Sequence, residues 1–187
     1  MFSKNEESLS FKITDVLDIL KKNQKNYVSY FDSNGKFIKK SFAEVYVDVN
    51  TTLAVIDRIV GNFEVPPSVV IMGTQSYYWL LIALSCIAQG GEIIALPESL
   101  NAKEMQESLG SLAIDYVATT PECLDRVKSI SKPVICMTML EEELKEKLLP
   151  LNFKKHNKFS LVAFTSGSSS SSKTKSFRID PDSIEDF

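Results

Sequence analysis

The residues best suited to chemistry lie near the C-terminal end of this sequence. Phe159–Phe164 is an apolar run that leads directly into Thr165-Ser166-Gly167-Ser168-Ser169-Ser170-Ser171-Ser172-Lys173-Thr174-Lys175. A strand opening into glycine and short hydroxyl side chains, followed by lysine, suits phosphate. Successive backbone N–H groups and hydroxyls can wrap anionic oxygens, while the ammonium group supplies a point charge. No Asp or Glu occurs between Leu151 and Ile179, whereas Lys154, Lys155, Lys158, Lys173, Lys175 and Arg178 do. This local basicity fits a polyanion. A Ser-rich flexible connector with a solvated basic flank has the same composition; the apolar strand in front is what favours a loop mounted on a sheet.

One way to use such a loop is the Walker pattern. Gly167 to Thr174 fits G-x-x-x-x-G-K-[ST] everywhere except at Ser172, which stands where the second glycine belongs. A Walker loop must open a helix at its lysine. Here Ser176-Phe177-Arg178-Ile179 reads as extended, and Asp180-Pro181 would interrupt any helix within two turns.

Other chemistry is thinly represented. His156 is the single histidine, between lysines, which argues against a histidine-built zinc site or a Ser-His-Asp triad. Cys86, Cys123 and Cys136 are odd in number and scattered, as expected of reduced thiols in a cytoplasmic protein. Cys86 lies in an apolar helix and reads as an inert core thiol. Tyr77, Tyr78, Trp79 and Leu81 make an aromatic, apolar helix face suited to core packing. Glu141-Glu142-Glu143 reads as a solvated helix start, and the acidic residues show no paired arrangement assignable to one site.

The rest of the chain must position the loop. At 187 residues, 44% hydrophobic and 24% charged, it has the composition of a soluble globular protein, long enough to bury a sizeable core. A net charge of −3 argues against nucleic-acid binding driven by bulk charge. The longest apolar run, Tyr77 to Ala88, is too short to span a bilayer, which takes about 20 residues. The N-terminus lacks the apolar stretch of a signal peptide.

The pattern predicts a short helix capped by Thr14, then a hairpin of Tyr27–Phe31 and Lys36–Lys40 turning at Asn34-Gly35. Ser41-Phe42-Ala43-Glu44 has capping-box spacing and opens a helix to Val60, with Gly61 as its stop. Strand and helix then alternate: strands at Ser68–Met72, Glu92–Leu96, Asp115–Thr119 and Pro133–Met137, helices at Gln75–Gln89, Asn101–Leu109, Pro121–Ile130 and Leu140–Leu149. Val69-Val70-Ile71, Ile93-Ile94-Ala95 and Val134-Ile135-Cys136 are apolar without alternation, as in parallel strands buried on both faces. The expected fold is α/β, a doubly wound, mostly parallel sheet with a small N-terminal hairpin. The expected organisation is one incomplete domain: helix and hairpin over 1–40, alternating core over 41–150, and strand, phosphate loop and a cut-off helix start over 151–187. Asp180-Pro181-Asp182-Ser183 looks like a helix start, and the sequence stops about one turn later, so a truncated protein is expected.

Phe164 to Lys173 resembles the phosphate-loop signature of the AMP-forming acyl- and aryl-adenylate ligases, roughly [YF]-T-S-G-[ST]-[ST]-G-x-P-K-G. Upstream, Ser41–Val60 is similar to the family's early "tyxEL…A…L" helix. Ser76-Tyr77-Tyr78-Trp79 through Gly90-Gly91 and Leu96 resembles its "N-s-x-e-W…A…G-G-x-x-x-P-L" segment, and Asn101–Asp115 the stretch that follows. The resemblance runs in order along nearly the whole chain. It implies an N-terminal portion of an enzyme that activates a carboxylic acid with ATP and Mg²⁺ to an acyl-adenylate, releases pyrophosphate, and passes the acyl group to a thiol of CoA or a carrier protein. By position, Thr165, Ser166, Gly167, Ser168, Ser169 and Lys173 would hold the ATP β- and γ-phosphates. No catalytic residue or metal ligand is implied within these 187 residues. Three positions depart from the pattern: Ser170 replaces a glycine, Ser172 a proline and Thr174 a glycine. A glycine adopting positive φ is not freely replaced by serine, so the same resemblance admits a non-catalytic remnant or interaction domain of the same fold.

Overall fold

A computed structural model describes residues 16–23, 25–110, 112–146, 159–165 and 175–179. Helix α1 (Val16–Lys22) precedes a ribbon of β1 (Tyr27–Phe31) and β2 (Phe37–Ser41), then the long α2 (Phe42–Val60). There follow β3 (Ser68–Met72), α3 (Tyr77–Ala88), β4 (Glu92–Leu96), α4 (Ala102–Leu109), β5 (Tyr116–Thr119), α5 (Leu124–Val127), β6 (Val134–Cys136), α6 (Met139–Glu143), β7 (Ser160–Thr165) and β8 (Lys175–Ile179).

The main sheet has the order β6-β5-β3-β4-β7-β8. Its first five strands run parallel; β8 turns back antiparallel on β7. β1 and β2 form a separate antiparallel ribbon. The doubly wound sheet and the hairpin are therefore both present.

The continuous apolar runs make this sheet, because successive side chains feed opposite layers. Val69 and Ile71 of β3, with Tyr116 and Ala118 of β5, enter a core built with Val55, Ile82 and Leu140 from α2, α3 and α6. Val70 and Met72, with Val117, Val162 and Phe164, enter the opposite core with Met105 and Leu109 of α4 and Val127 of α5. A third cluster, holding Leu17, Leu20, Val45, Val49 and Leu81, joins α1, α2 and α3.

The predicted caps form. Ser41 Oγ accepts from the Glu44 amide while the Glu44 carboxylate accepts from the Ser41 amide at 2.8 Å, and Asn101 and Glu104 repeat the exchange at α4. Three expectations need correction; one is the helix Leu140–Leu149, since α6 covers only Met139–Glu143 and residues 144–146 are turn and bend. Residues 121–130 are one turn of α-helix between two 3₁₀ turns rather than a continuous helix. Thr120, at the cap position, makes no side-chain capping hydrogen bond, and Ser131 closes the segment with left-handed φ of 54°. The acidic start of α6 is also not merely solvated. Ser33 Oγ lies 3.1 Å from Glu141 Oε1 and 3.2 Å from Oε2, donating to that carboxylate. Arg58 of α2 pairs with Glu143, and Lys145 with Glu142 at 2.7 Å. Glu141 and Glu143 tie α6 to the hairpin turn and to α2. The predicted helix starts at Thr14 and Asp180, and the stop at Pro150, lie outside the described residues.

Candidate functional site

The parallel strands fix where the Ser-rich segment emerges. Ala95 of β4 sits opposite Ala163 of β7, so Thr165 ends β7 on the same carboxyl edge of the sheet as Leu96, Met72 and Thr119. That edge also carries the amino ends of α3 and α4, where Ser76 Oγ accepts from the Trp79 amide and Asn101 Oδ1 from the Lys103 and Glu104 amides. Helix amino ends carry partial positive charge. In open α/β sheets, ligands bind outside the carboxyl ends of the strands.

Across the ladder, Thr165 pairs with Lys175. β8 therefore runs back along β7 from that same edge. Of the predicted phosphate contacts, Thr165 is placed at the end of β7. Ser166, Gly167, Ser168, Ser169 and Lys173 lie outside the described residues. The strand at Lys175–Ile179 bears on the Walker reading: a loop of that kind opens a helix at its lysine, and here the chain goes extended two residues later.

Polar side chains brace both ends of this architecture. At the amino edge, Glu92 of β4 accepts from Ser160 Oγ of β7 at 2.8 Å and from Ser68 Oγ of β3 at 3.4 Å, and pairs with Arg178 of β8. One carboxylate thus links four adjacent strands. Beside it, Asp115 Oδ2 accepts from the Ser68 amide at 2.7 Å. Under the hairpin, Asp48 of α2 accepts from the Tyr77 hydroxyl at 2.6 Å and pairs with Lys40. Tyr30 stacks on Tyr77 with centroids 4.2 Å apart and planes 2° from parallel. Burial, and then the charge of Asp48, push the Tyr77 hydroxyl far above its usual range. Glu122, just beyond β5 on the carboxyl edge, is held below 4.5 by its own backbone N–H and then by the Thr120 hydroxyl.

The sequence did not signal the Asp48 and Glu92 clusters, because their partners lie 8 to 86 residues away. Both are structural braces. Cys86 is fully buried, and burial pushes its thiol well above 9.0, which fits an unreactive core group. Tyr77 and Leu81 are buried, whereas Tyr78 and Trp79 are half-buried. Among the described residues no group of three or more His, Cys, Asp or Glu side chains could hold a metal ion, and no helix is long and apolar enough to cross a membrane.

No family model matches the sequence, and no curated protein is similar enough in sequence to match it. Solved structures do resemble the fold. The N-terminal subdomain of NpsA from Klebsiella oxytoca superposes with a TM-score of 0.69 at 17% identity, over 92% of this chain and 43% of that one. A fatty acyl CoA synthetase of Mycobacterium tuberculosis gives 0.68 at 13% identity, over 93% of this chain and 36% of that one. The fatty acyl-adenylate ligase of L. pneumophila, solved with acyl adenylate and pyrophosphate, gives 0.62 at 13% identity, over 93% and 31%. The chain thus has the fold of the N-terminal part of the AMP-forming acyl- and aryl-adenylate ligases, and spans between about a third and under half of the structures it matches.

Proposed function

We propose that this chain is the N-terminal portion of an ATP-dependent carboxylic acid ligase forming an acyl-adenylate, with the segment after β7 holding the ATP phosphates. The observation that carries this reading is the register of Thr165 opposite Lys175. It supports a chain that leaves the carboxyl edge of the sheet at Thr165 and re-enters it at Lys175, in a fold shared with adenylate-forming ligases.

In this reading the chain's own work is electrostatic. Backbone N–H groups and hydroxyls of Thr165, Ser166, Gly167, Ser168 and Ser169 wrap the β- and γ-phosphates, and Lys173 neutralises charge on the departing pyrophosphate. That holds the α-phosphorus in line for attack by the substrate carboxylate. Mg²⁺, when bound with ATP, supplies further charge neutralisation; its ligands, the acyl pocket and the acceptor-thiol site are assigned to the rest of the enzyme. The acceptor is the thiol of CoA or of a carrier protein, and the protein is assigned to the cytoplasm.

The test is carboxylate-dependent exchange of labelled pyrophosphate into ATP by the intact protein, across fatty, aromatic and amino acids. Lys173→Ala should lower the exchange rate by about 10²-fold or more, the usual effect of losing one preorganised electrostatic contact. Unchanged exchange in Lys173→Ala overturns the loop assignment. Absence of exchange with every acid favours the second reading, a non-catalytic domain of the same fold. Ser170, Ser172 and Thr174 support that alternative, since they stand where the ligase signature has glycine, proline and glycine.

A further inference from the structure

The outer face of the β1–β2 ribbon is unlike the rest of the surface. The inner side of the ribbon packs down through Val28 and Tyr30 onto the cluster shared with α1, α2 and α3. By strand alternation the opposite side presents Tyr27 and Phe31 of β1 and Phe37 and Lys39 of β2, all exposed. Phe31 is 70%, Phe37 58% and Tyr27 53% exposed, three of the six large apolar side chains left exposed among the described residues. Phe31 and Phe37 face each other across the ladder, ring centroids 5.5 Å apart, at the end nearest the turn. Lys39 Nζ lies 3.3 Å from the centroid of the Tyr27 ring.

Charge is concentrated in the same place. Residues 16–41 hold six lysines, of which Lys22 pairs with Asp18 and Lys40 with Asp48, in a chain whose net charge is −3. Lys25 and Lys36, at the two ends of the ribbon, are exposed. Asp32 Oδ1 accepts from the Asn34 amide at 2.9 Å and the Lys36 amide at 2.8 Å, which turns that oxygen toward the hairpin's own backbone.

We propose that this face docks the protein onto an anionic lipid surface, with Phe31, Phe37 and Tyr27 entering the boundary between headgroups and acyl chains. Lys25, Lys36 and Lys39 then meet the lipid phosphates. Size decides between a bilayer and a protein partner. Two five-residue strands about 17 Å long and 5 Å apart offer an apolar face on the order of 200 Å². A stable protein complex buries about 800 Å² on each side. Interfacial binding to lipid needs no matched surface and strengthens with each buried ring and each lysine near the anionic plane. The proposal does not depend on the ligase reading.

The experiment is co-sedimentation of the intact protein with vesicles of mixed phosphatidylcholine and phosphatidylglycerol, and separately of phosphatidylcholine alone. The expected result is binding to the mixed vesicles that weakens in high salt, at least about tenfold weaker binding to phosphatidylcholine alone, and at least about tenfold loss in the double variant Phe31→Ser/Phe37→Ser. Both rings are exposed, so that variant should keep the wild-type thermal unfolding curve. If it does not, Lys36→Glu/Lys39→Glu reads the same face through charge and should lose binding to the same extent. No binding of the wild type, equal binding to both vesicle types, or unchanged binding in a folded variant overturns the proposal. Retention on immobilised polyglutamate without vesicle binding overturns it in favour of an acidic protein partner.

Discussion

The Tyr77 hydroxyl of α3 donates to Asp48 Oδ2 of α2 at 2.6 Å, joining the two helices where the hairpin docks on them. Asp48 is buried and also receives Lys40 from β2, while the Tyr77 ring carries Tyr30 from β1. Tyr77→Phe keeps the stacking and removes one donor from a buried carboxylate. It should cost about 2 kcal/mol and lower Tm by about 5 °C. Tyr77→Ala also loses the ring contact with Tyr30 and should cost about twice as much. Thermal unfolding of the two variants checks this; equal, small losses would mean that Asp48 is satisfied by Lys40 alone.

Glu92 makes the corresponding prediction for the other end of the sheet. Glu92→Ala removes the acceptor shared by Ser68, Ser160 and Arg178 and should cost about 1–2 kcal/mol. Because β8 is an edge strand held on one side only, its amides should respond most. Hydrogen exchange should accelerate about tenfold or more in 175–179, with less change in the central strand β3. Uniform acceleration across the sheet would show that Glu92 supports global stability rather than the β7–β8 junction.

Sequence and structure agree where the signal is local and diverge where it is not. Ser41 with Glu44 and Asn101 with Glu104 were legible because a capping box uses residues three apart. The buried strands were legible because two-sided burial removes alternation, and Ser68–Met72 and Glu92–Leu96 are observed with the bounds expected. The order β6-β5-β3-β4-β7-β8 was not legible, since β7 reaches its place beside β4 across more than 60 residues. In the hairpin, Tyr27, Phe31 and Phe37 are as apolar as Val28, Tyr30 and Ile38, so composition could not tell the exposed side of the ribbon from the packed one. Of the candidate phosphate contacts, the sequence supplied the residue types and the sheet supplied the anchor points, Thr165 and Lys175.

Gly91 and Gly35 should respond differently to alanine. A Cβ on Gly91 would sit 2.3 Å from the Pro67 carbonyl oxygen and 2.6 Å from Cys86 Sγ, so backbone must shift; the expected cost is about 2 kcal/mol or more. Gly35 turns the hairpin at φ of 74° with no atom within 4 Å of an added Cβ. Its replacement meets only left-handed backbone strain, about 1 kcal/mol. Urea unfolding of both variants measures the difference, and a Gly35→Ala loss as large as that of Gly91→Ala would contradict it.

Alkaline pH should expose the buried acids. Burial, then Glu92 and Asp115, raise the Cys86 thiol above 9.0; burial, then Cys86 and Asp115, raise the Tyr116 hydroxyl above 10.0. Tyr77 is raised by burial and by Asp48. In each case the folded protein keeps its proton at a pH where the unfolded chain has begun to release it. The stabilisation is therefore complete below pH 9.0 and declines as pH rises, first through Cys86 and above 10.0 through the tyrosines as well. Each group contributes a slope of about 1.4 kcal/mol per pH unit once its unfolded form ionises. Unfolding free energies from urea titrations at pH 8, 9 and 10 should fall progressively, and Cys86→Ala should flatten the first part of the decline while lowering stability at every pH. A wild-type curve that stays level to pH 10, or a variant that follows the wild-type slope, would show that the Cys86 thiol keeps no proton beyond its unfolded range.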